Sequence, residues 1–485
     1  MDHSAPLPAR LSHKMPMIHQ GPPSLHVKPP ALAQGDAGPD ARPADARPTD
    51  GKPANGRPHG DRHVFLMLQG PHGPFFDRLA RLLRAAGASV WRCGFNAGDE
   101  FFWSDTSSFI RHEGNVQDWP DHLARILDDK GVTDIVLYGD VRAIHATARR
   151  LATERGLRIH VFEEGYLRPY WISYERQGSN GNSVLLRIPL AQMRAALREQ
   201  ISEVRRPPAH WGDMRQHKFY GAFYHFLILI ANRRYRAYAG HRAIPVMQEF
   251  RLNLRRFLLA PAYNVGRAVQ WRRLRLSGWP YTLVPMQLEH DSNFLGHSPF
   301  TKNEQFIAQV VASFARAAPR HHHLVFKAHP LEDGRAGNRA AIHASATEHG
   351  IRDRVHYIRG GKLAEILSHA RAVVTVNSTA AQQALWRGIP VKTLGRAVYE
   401  KPGLVSEQSL DDFLKSPEAP DPQAYRVFRD YLLQTSQIPG GFYASRSRAH
   451  ALRLVADMLL SPHDPYDALA SGPILPRQQL ADQDN

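Results

Sequence analysis

The sequence predicts an α/β protein: two Rossmann-like halves that face a cleft. Three observations carry that expectation. Short apolar runs alternate with helix-spaced stretches over 63–165 and again over 281–395, the pattern of parallel strands joined by helical crossovers. A segment dense in Arg and aromatic residues, 207–278, separates the two stretches. The length, 485 residues, exceeds what one core usually holds.

Residues 1–60 are rich in Pro, Ala, Gly and Asp ("GDAGPDARPADARPTDGKPANGRPHG") and hold too little apolar surface to offset the entropy of ordering, so a disordered extension is expected there. The first half is assigned to 61–206. "HVFLMLQG" reads as its first strand, a short apolar run ended by Gly70. "PFFDRLARLLRAAGA" has helical spacing and a glycine stop at Gly87. "SVWRCGFN", "DIVLYGD" and "RIHVFEEG" read as further strands, with helices over "HLARILDDKGV" and "RAIHATARRLATERG" between them. The second half, 279–415, starts at the strand "YTLVPMQ" and continues through strands "HLVFKAHP", "VHYIRG", "AVVTVNS" and "PVKTLG" with helices between. Residues 416–470 are expected to be helices packing back on the halves, starting with "PQAYRVFRDYLLQTS", and 471–485 a tail.

The formal net charge of +17 and pI near 10.1 point to an anionic partner: nucleic acid, an anionic membrane surface or a phosphorylated substrate. No recognisable nucleic-acid-binding motif supports the first, and no nucleic-acid partner is expected. The single cysteine, Cys93, rules out an intramolecular disulfide framework and fits a reducing compartment. The N-terminal residues lack the apolar core of a signal peptide. "FLILIA", Phe226 to Ala231, is the longest tight apolar run and is too short to span a bilayer.

Four predicted strand tips carry polar residues, and strand tips are where open α/β sheets keep their chemistry. In "LQGPHGPFF", Gly70 and Gly73 allow close backbone approach to a ligand, although an ordinary strand-to-helix turn explains them as well. In "FEEGYLRPYW", the adjacent Glu163 and Glu164 suit a general base, each acid raises the pKa of the other, and Arg168 suits an anionic sugar acid. A solvated turn is the commoner meaning of such acids, but Phe162, Tyr166, Tyr170 and Trp171 surround this pair. In "VFKAHPLEDG", His329, fixed by Pro330, suits protonation of a phosphate leaving group, with Lys327 adding positive charge. In "TVNSTAAQQALWRG", Asn377, Ser378 and Thr379 precede a helix; Ser378 or Thr379 would cap it, and its free N–H groups would hold phosphate. Asp140 and Arg142 in "GDVRAIH" fit helix capping equally well. No P-loop is present, and His321–His323 lack partnered ligand spacing, so no metal site is expected.

"EEG", "HP" and "NST" in this order resemble the bacterial transferases that use CMP-activated keto-sugar acids, the sialyltransferases among them. The blocks "FLMLQGPHGPFFDRLARLLRAAG", "FNAGDEFFW", "YGDVRAIH", "HVFEEGYLRPYWISYERQGSNGNS", "LVPMQLEHDS", "KAHPLEDG" and "VNSTAAQQALWRGIPVKTLG" resemble more closely the capsular polysaccharide biosynthesis/export family of Kdo transferases, over about Val64 to Phe442. The resemblance implies a GT-B fold and metal-independent, cofactor-free transfer of Kdo from the donor CMP-Kdo to (lyso)phosphatidylglycerol, the start of a lipid linker for capsule. It implies that Glu163, with Glu164 in reserve, is the general base, that His329 assists CMP departure, and that Ser378 and Thr379 hold its phosphate. Gln287, Glu289 and Asp291 are placed at the nucleotide or sugar pocket. A cytoplasmic protein peripheral on the inner membrane follows, with an anionic phospholipid acceptor and capsule assembly and export proteins as partners. The basic aromatic segment, with Arg233, Arg234 and Tyr235, suits an anionic leaflet, or an ordinary helical cover for the sheet. The alternatives are another GT-B transferase using a polyol-phosphate acceptor, and a non-catalytic capsule export component.

Overall fold

A computed structural model of the chain describes residues 63–168, 170–197, 214–237, 251, 260–332 and 334–471. The extension 1–60, nearly all of the tail 471–485 and much of the segment 207–278 lie outside the described residues.

The first sheet has seven strands in the order β12-β6-β5-β4-β1-β2-β3. They are β1 (Val64–Met67), β2 (Ser89–Gly94), β3 (Phe109–Arg111), β4 (Asp134–Tyr138), β5 (Arg158–Glu164), β6 (Trp171–Arg176) and β12 (Gln437–Pro439). β1 to β5 run parallel, whereas β6 returns antiparallel to β5 and β12 is antiparallel to β6. The second sheet, β11-β10-β7-β8-β9, is wholly parallel. Its strands are β7 (Tyr281–Pro285), β8 (His323–Lys327), β9 (Val355–Ile358), β10 (Ala370–Thr375) and β11 (Val391–Thr393). Two doubly wound sheets joined in this way are the GT-B architecture.

Each sheet is covered on both faces, which is why its parallel strands read as near-continuous apolar runs. On one face of the first sheet, Phe65, Met67 and Phe162 pack with helices Phe75–Ala85 and Ser445–Leu460; on the other, Leu66, Ile135 and Val161 pack with Trp119–Lys130 and Ala143–Glu154. Helix Pro422–Gln434 buries Tyr425, Phe428 and Leu432 in the core that also takes Leu283 and Val373 of the second sheet. The chain then returns to the first sheet as β12.

β3, β6 and β12 depart from the apolar-run pattern. β6 buries Ser173, Glu175 and Arg176. Glu175 accepts hydrogen bonds from Tyr166 and Ser183 and from Tyr466 Oη at 2.8 Å, and Arg176 donates to the carbonyls of Met458 and Ser461 at 3.1 and 2.7 Å. Burial pushes Glu175 up to about 7, against the pull of those three hydroxyls.

Candidate active site between the two halves

β5 ends in the adjacent acids, and side chains alternate across a strand. Glu163 therefore points to the face carrying helix Ala143–Glu154, and Glu164 to the face carrying helix Ser445–Leu460. Glu163 accepts from Asn180 Nδ2 at 3.4 Å. Glu164 accepts from Tyr138 Oη at 3.2 Å, on the side where Tyr443 stacks on His217 at 4.2 Å.

The two acids thus have different chemistry. Burial, then the negative charges of Asp140 and Asp291, push Glu163 up to about 8, with Arg142 opposing them. A carboxyl poised near neutrality can exchange protons with a substrate hydroxyl. Asp291 belongs to the second half, so this field acts across the two halves.

Several contacts bring Asp291 there. Asp291 caps helix Ser292–His297, accepting from Asn293 N–H at 3.0 Å. Gly296 of that helix lies against Val141, and the His297 ring lies against Gly181, where an added Cβ would come within 2.3 Å of the ring. Only glycine permits that approach. The Asn180–Asn182 turn is held from beneath: Tyr166 Oη accepts from Asn180 N–H at 2.7 Å, and Asp140 accepts from Ser179 N–H and Asn182 Nδ2 at 3.2 and 2.9 Å. Asp140 therefore holds this turn rather than capping a helix. Arg142 donates to Gln69 Oε1 at 3.1 Å. The Nε2 atom of buried His297 has no hydrogen-bond partner among the described residues. Two further ties join the halves: Gln382 Nε2 to the Tyr166 carbonyl at 3.0 Å, and Lys401 Nζ to the Leu185 carbonyl at 2.6 Å.

On the second sheet the other expected residues follow the carboxyl ends of adjacent strands. Gln287 follows β7, and Asn377, Ser378 and Thr379 follow β10. Gln287 Nε2 donates to Asn377 Oδ1 at 2.8 Å, and Gln287 Oε1 accepts from Asn377 N–H at 3.1 Å. Asn377 Nδ2 donates to the carbonyls of Asn293 and His297 at 2.9 and 3.3 Å. This pair fastens two strand tips to the helix behind Asp291. Glu289 accepts from Asn303 N–H at 2.9 Å.

At the end of β8, buried Lys327 donates to the Ala328 carbonyl at 3.4 Å. His329 Nδ1 accepts from Leu331 N–H at 3.1 Å, through the turn that Pro330 begins. That bond requires a lone pair on Nδ1, so the neutral ring carries its proton on Nε2, the nitrogen suited to donate.

Some expected roles change. Helix Ala381–Leu385 is capped by Ala380, without a side-chain cap bond. Ser378 Oγ instead accepts from Ala380 N–H at 3.2 Å, a local turn, because the backbone tightens through Ala381 N–H to the Ser378 carbonyl before the helix begins. Gly73 has φ +113°, and Gly70 leaves room for the Phe76 ring. Arg168 is exposed, with its Nε on the Gly165 carbonyl at 3.3 Å. Asp291 and His297 gain their place from the packing of the two halves, whereas Asn180 and Arg142 are held by Tyr166, Glu163 and Gln69 of the first half; "LEHDS" after a strand reached Asp291 and "GDVRAIH" reached Arg142, but neither Asn180 nor His297 was singled out by the sequence.

A carboxylate on a strand tip of one Rossmann-like domain, at the junction with a second whose strand tips carry polar residues, defines a GT-B protein with a candidate active site where its halves meet. Comparison with known proteins narrows this. Residues 133–443 match the family described as capsule polysaccharide biosynthesis protein. The chain is 31% identical over 399 residues to the capsule polysaccharide modification protein LipB of Neisseria meningitidis serogroup A, covering 78% of this chain and 91% of that one. It is 30% identical over 384 residues to the capsule polysaccharide export protein KpsS of Escherichia coli, covering 78% and 96%. Among solved structures, the β-Kdo 2,7 transferase KpsC of Thermosulfurimonas dismutans aligns at 13% identity and a TM-score of 0.39, covering 81% of this chain and all of that one. The chain belongs to the capsule polysaccharide biosynthesis protein family.

Proposed function

We propose that this chain is a glycosyltransferase that moves Kdo from CMP-Kdo to (lyso)phosphatidylglycerol, or to the nascent lipid linker, at the inner face of the bacterial inner membrane, without metal or cofactor. The observation that carries this reading is Glu163, held near neutrality at the junction of the two halves. In the reaction, Glu163 accepts the proton of an acceptor hydroxyl. The hydroxyl oxygen forms a bond to the anomeric carbon of Kdo as the bond from that carbon to the CMP phosphate oxygen breaks. The electron pair leaves with CMP, and His329 donates from Nε2 to the departing phosphate. The hydroxyls of Ser378 and Thr379 and the charge of Lys327 serve the same phosphate. Gln287 and Asn377 set the two strand tips behind it. Arg168 serves the sugar carboxylate. Capsule assembly and export proteins are the further partners in this reading.

The test is CMP release by the purified full chain, with CMP-Kdo generated in situ and lysophosphatidylglycerol as acceptor. Lipid-dependent release is expected, falling about 10²- to 10⁴-fold in Glu163→Gln and in His329→Ala. A folded protein that releases no CMP from CMP-Kdo or from other CMP-sugars would refute the reading and favour a polyol-phosphate transferase or a non-catalytic export component.

A further inference from the structure

Helix Met214–Ala231 presents two different faces. Tyr224 and Ile228 are buried against the first half. Phe219, Phe223, Phe226 and Ile230, at spacings of four, three and four, share the opposite stripe. Phe219, Phe226 and Ile230 are 62, 51 and 56% exposed, and Phe101, 57% exposed, extends the patch by packing on Phe223 at 5.2 Å. Contiguous exposed apolar surface of this kind marks an interaction site. Cations bracket it: Arg215 and Lys218 at the start of the helix, Arg233, Arg234 and Arg236 just past its end, all exposed. At the same end as Arg215, a cavity of about 240 Å³ is lined by Arg215, Gln216, Phe219, Tyr220, Tyr443 and Ser445.

We infer that this face is the membrane-docking surface of the protein, its occupant an anionic lipid leaflet. An apolar stripe bracketed by Lys and Arg fits the headgroup–acyl boundary, where apolar burial and attraction to anionic lipid act together. A second copy fits poorly, because joining two such faces would bring the same five cations together in a chain already at +17. Among the described residues no helix is long and apolar enough to cross a membrane. The helix is also fixed to the cleft. Tyr224 Oη donates to Asp99 at 3.0 Å and accepts from Asn96 Nδ2 and Gln69 Nε2 at 2.8 and 3.1 Å, and Gln69 in turn accepts from Arg142 beside Glu163. A leaflet bound to the outer face is therefore held at a set orientation to the strand tips, with the cavity at its edge for a phosphate headgroup. Only this last consequence rests on the lipid-acceptor reading.

The experiment is co-sedimentation of the full chain with vesicles of phosphatidylglycerol mixed into phosphatidylcholine, against phosphatidylcholine alone, for wild type and the double variant Phe226→Ser, Ile230→Ser, which leaves the lining of the cavity intact. These side chains are exposed, so an unchanged melting temperature and unchanged CMP release with a water-soluble short-chain acceptor are the controls for folding. Binding is expected only with the anionic vesicles, about tenfold weaker as salt rises toward 0.5 M, and about a hundredfold or more weaker in the variant. Wild type that ignores anionic vesicles, or a variant that binds them equally well, would overturn the inference whether or not CMP is released. So would self-association that the variant abolishes without any vesicle binding. Vesicle binding lost in the variant, with no CMP release from any form, would leave docking standing and remove the transferase reading alone.

Discussion

Asp291→Asn tests the interdomain field on Glu163 directly. Glu163 is raised from 4.5 to about 8, a difference that corresponds to roughly 5 kcal/mol against its charged form before allowing for its partial contact with solvent. Burial is the largest cause; the Asp140 and Asp291 charges follow. One like charge across a partly wet cleft is worth about 1 kcal/mol, or ~0.7 pH unit. The substitution removes that charge and keeps an oxygen to accept the Asn293 N–H, so the helix cap survives. A general base works ionised, so wild-type kcat/KM should rise with pH along a limb centred near 8. In Asp291→Asn the limb should move down by about 0.7 unit, and the ionised fraction at pH 7 should rise from about a tenth to about a third. The weaker base offsets part of that gain, so the limb position, not the rate, is diagnostic. The stability sign follows from the same shift. The folded state keeps this proton up to about pH 8 whereas the unfolded chain releases it near 4.5, so stability falls as pH rises through that window, and the fall ends sooner and is smaller in total in the variant. The assay is CMP release at low substrate from pH 6 to 9.5, with melting temperatures over the same range. A limb that stays in place, or moves up, would refute the claim that Asp291 faces Glu163.

Other outcomes follow from the same geometry. Glu164→Gln should keep activity within about tenfold of wild type, because its carboxyl faces Tyr138 and not the Asp291 side; a loss as large as that of Glu163→Gln would reverse the assignment. Gly181→Ala should push the Asn180 turn off the His297 ring, costing about 1–3 kcal/mol of stability and lowering kcat/KM, read by thermal melting and CMP release; a neutral substitution would contradict the close packing of the halves. Asp134 is a structural test away from the cleft. Burial acts to raise it, but hydrogen bonds from His160, Arg158 and Thr133 prevail and hold it well below the usual carboxylate range. Its contribution is therefore present above about pH 4 and lost as pH falls below that, and Asp134→Asn should cost about 2–4 kcal/mol at neutral pH, with much of the acid-induced loss gone from its urea-melt profile.

The parts of the fold legible in the sequence are those governed by one-dimensional rules. Buried parallel strands had to be apolar runs, and β1, β4, β5, β7, β8 and β10 were visible as such. Strand tips are where apolar runs stop, so Glu163, Glu164, Lys327, His329 and Asn377 could be found by position. β6 could not, because Glu175 and Arg176 are buried with partners as far along the chain as Tyr466 and Met458. A polar residue that finds its partner 280 or more residues later leaves no local periodicity. Glycine at 181 was equally opaque, since its reason is the ring of His297 in the other half.

The adjacent acids show where sequence reasoning stops and why. From the chain alone, Glu163 and Glu164 are equivalent neighbours at the end of an apolar run. Alternation says that they part to opposite faces, but not which face holds the cleft. That depends on which side the second half docks, and the docking is fixed by small features: a glycine under a histidine ring, a second glycine against Val141, and an amide pair between Gln287 and Asn377 that holds the helix behind Asp291 in place. Once that helix is in place, Asp291 lies on the side of Glu163, and its charge helps to raise that acid toward neutrality. The candidate base is thus tuned in part by Asp291, 128 positions away in sequence, whose charge adds to burial and to Asp140 only when the two halves are together. Separating the halves, by a variant that opens the cleft, should therefore lower the Glu163 pKa even with every residue of β5 intact.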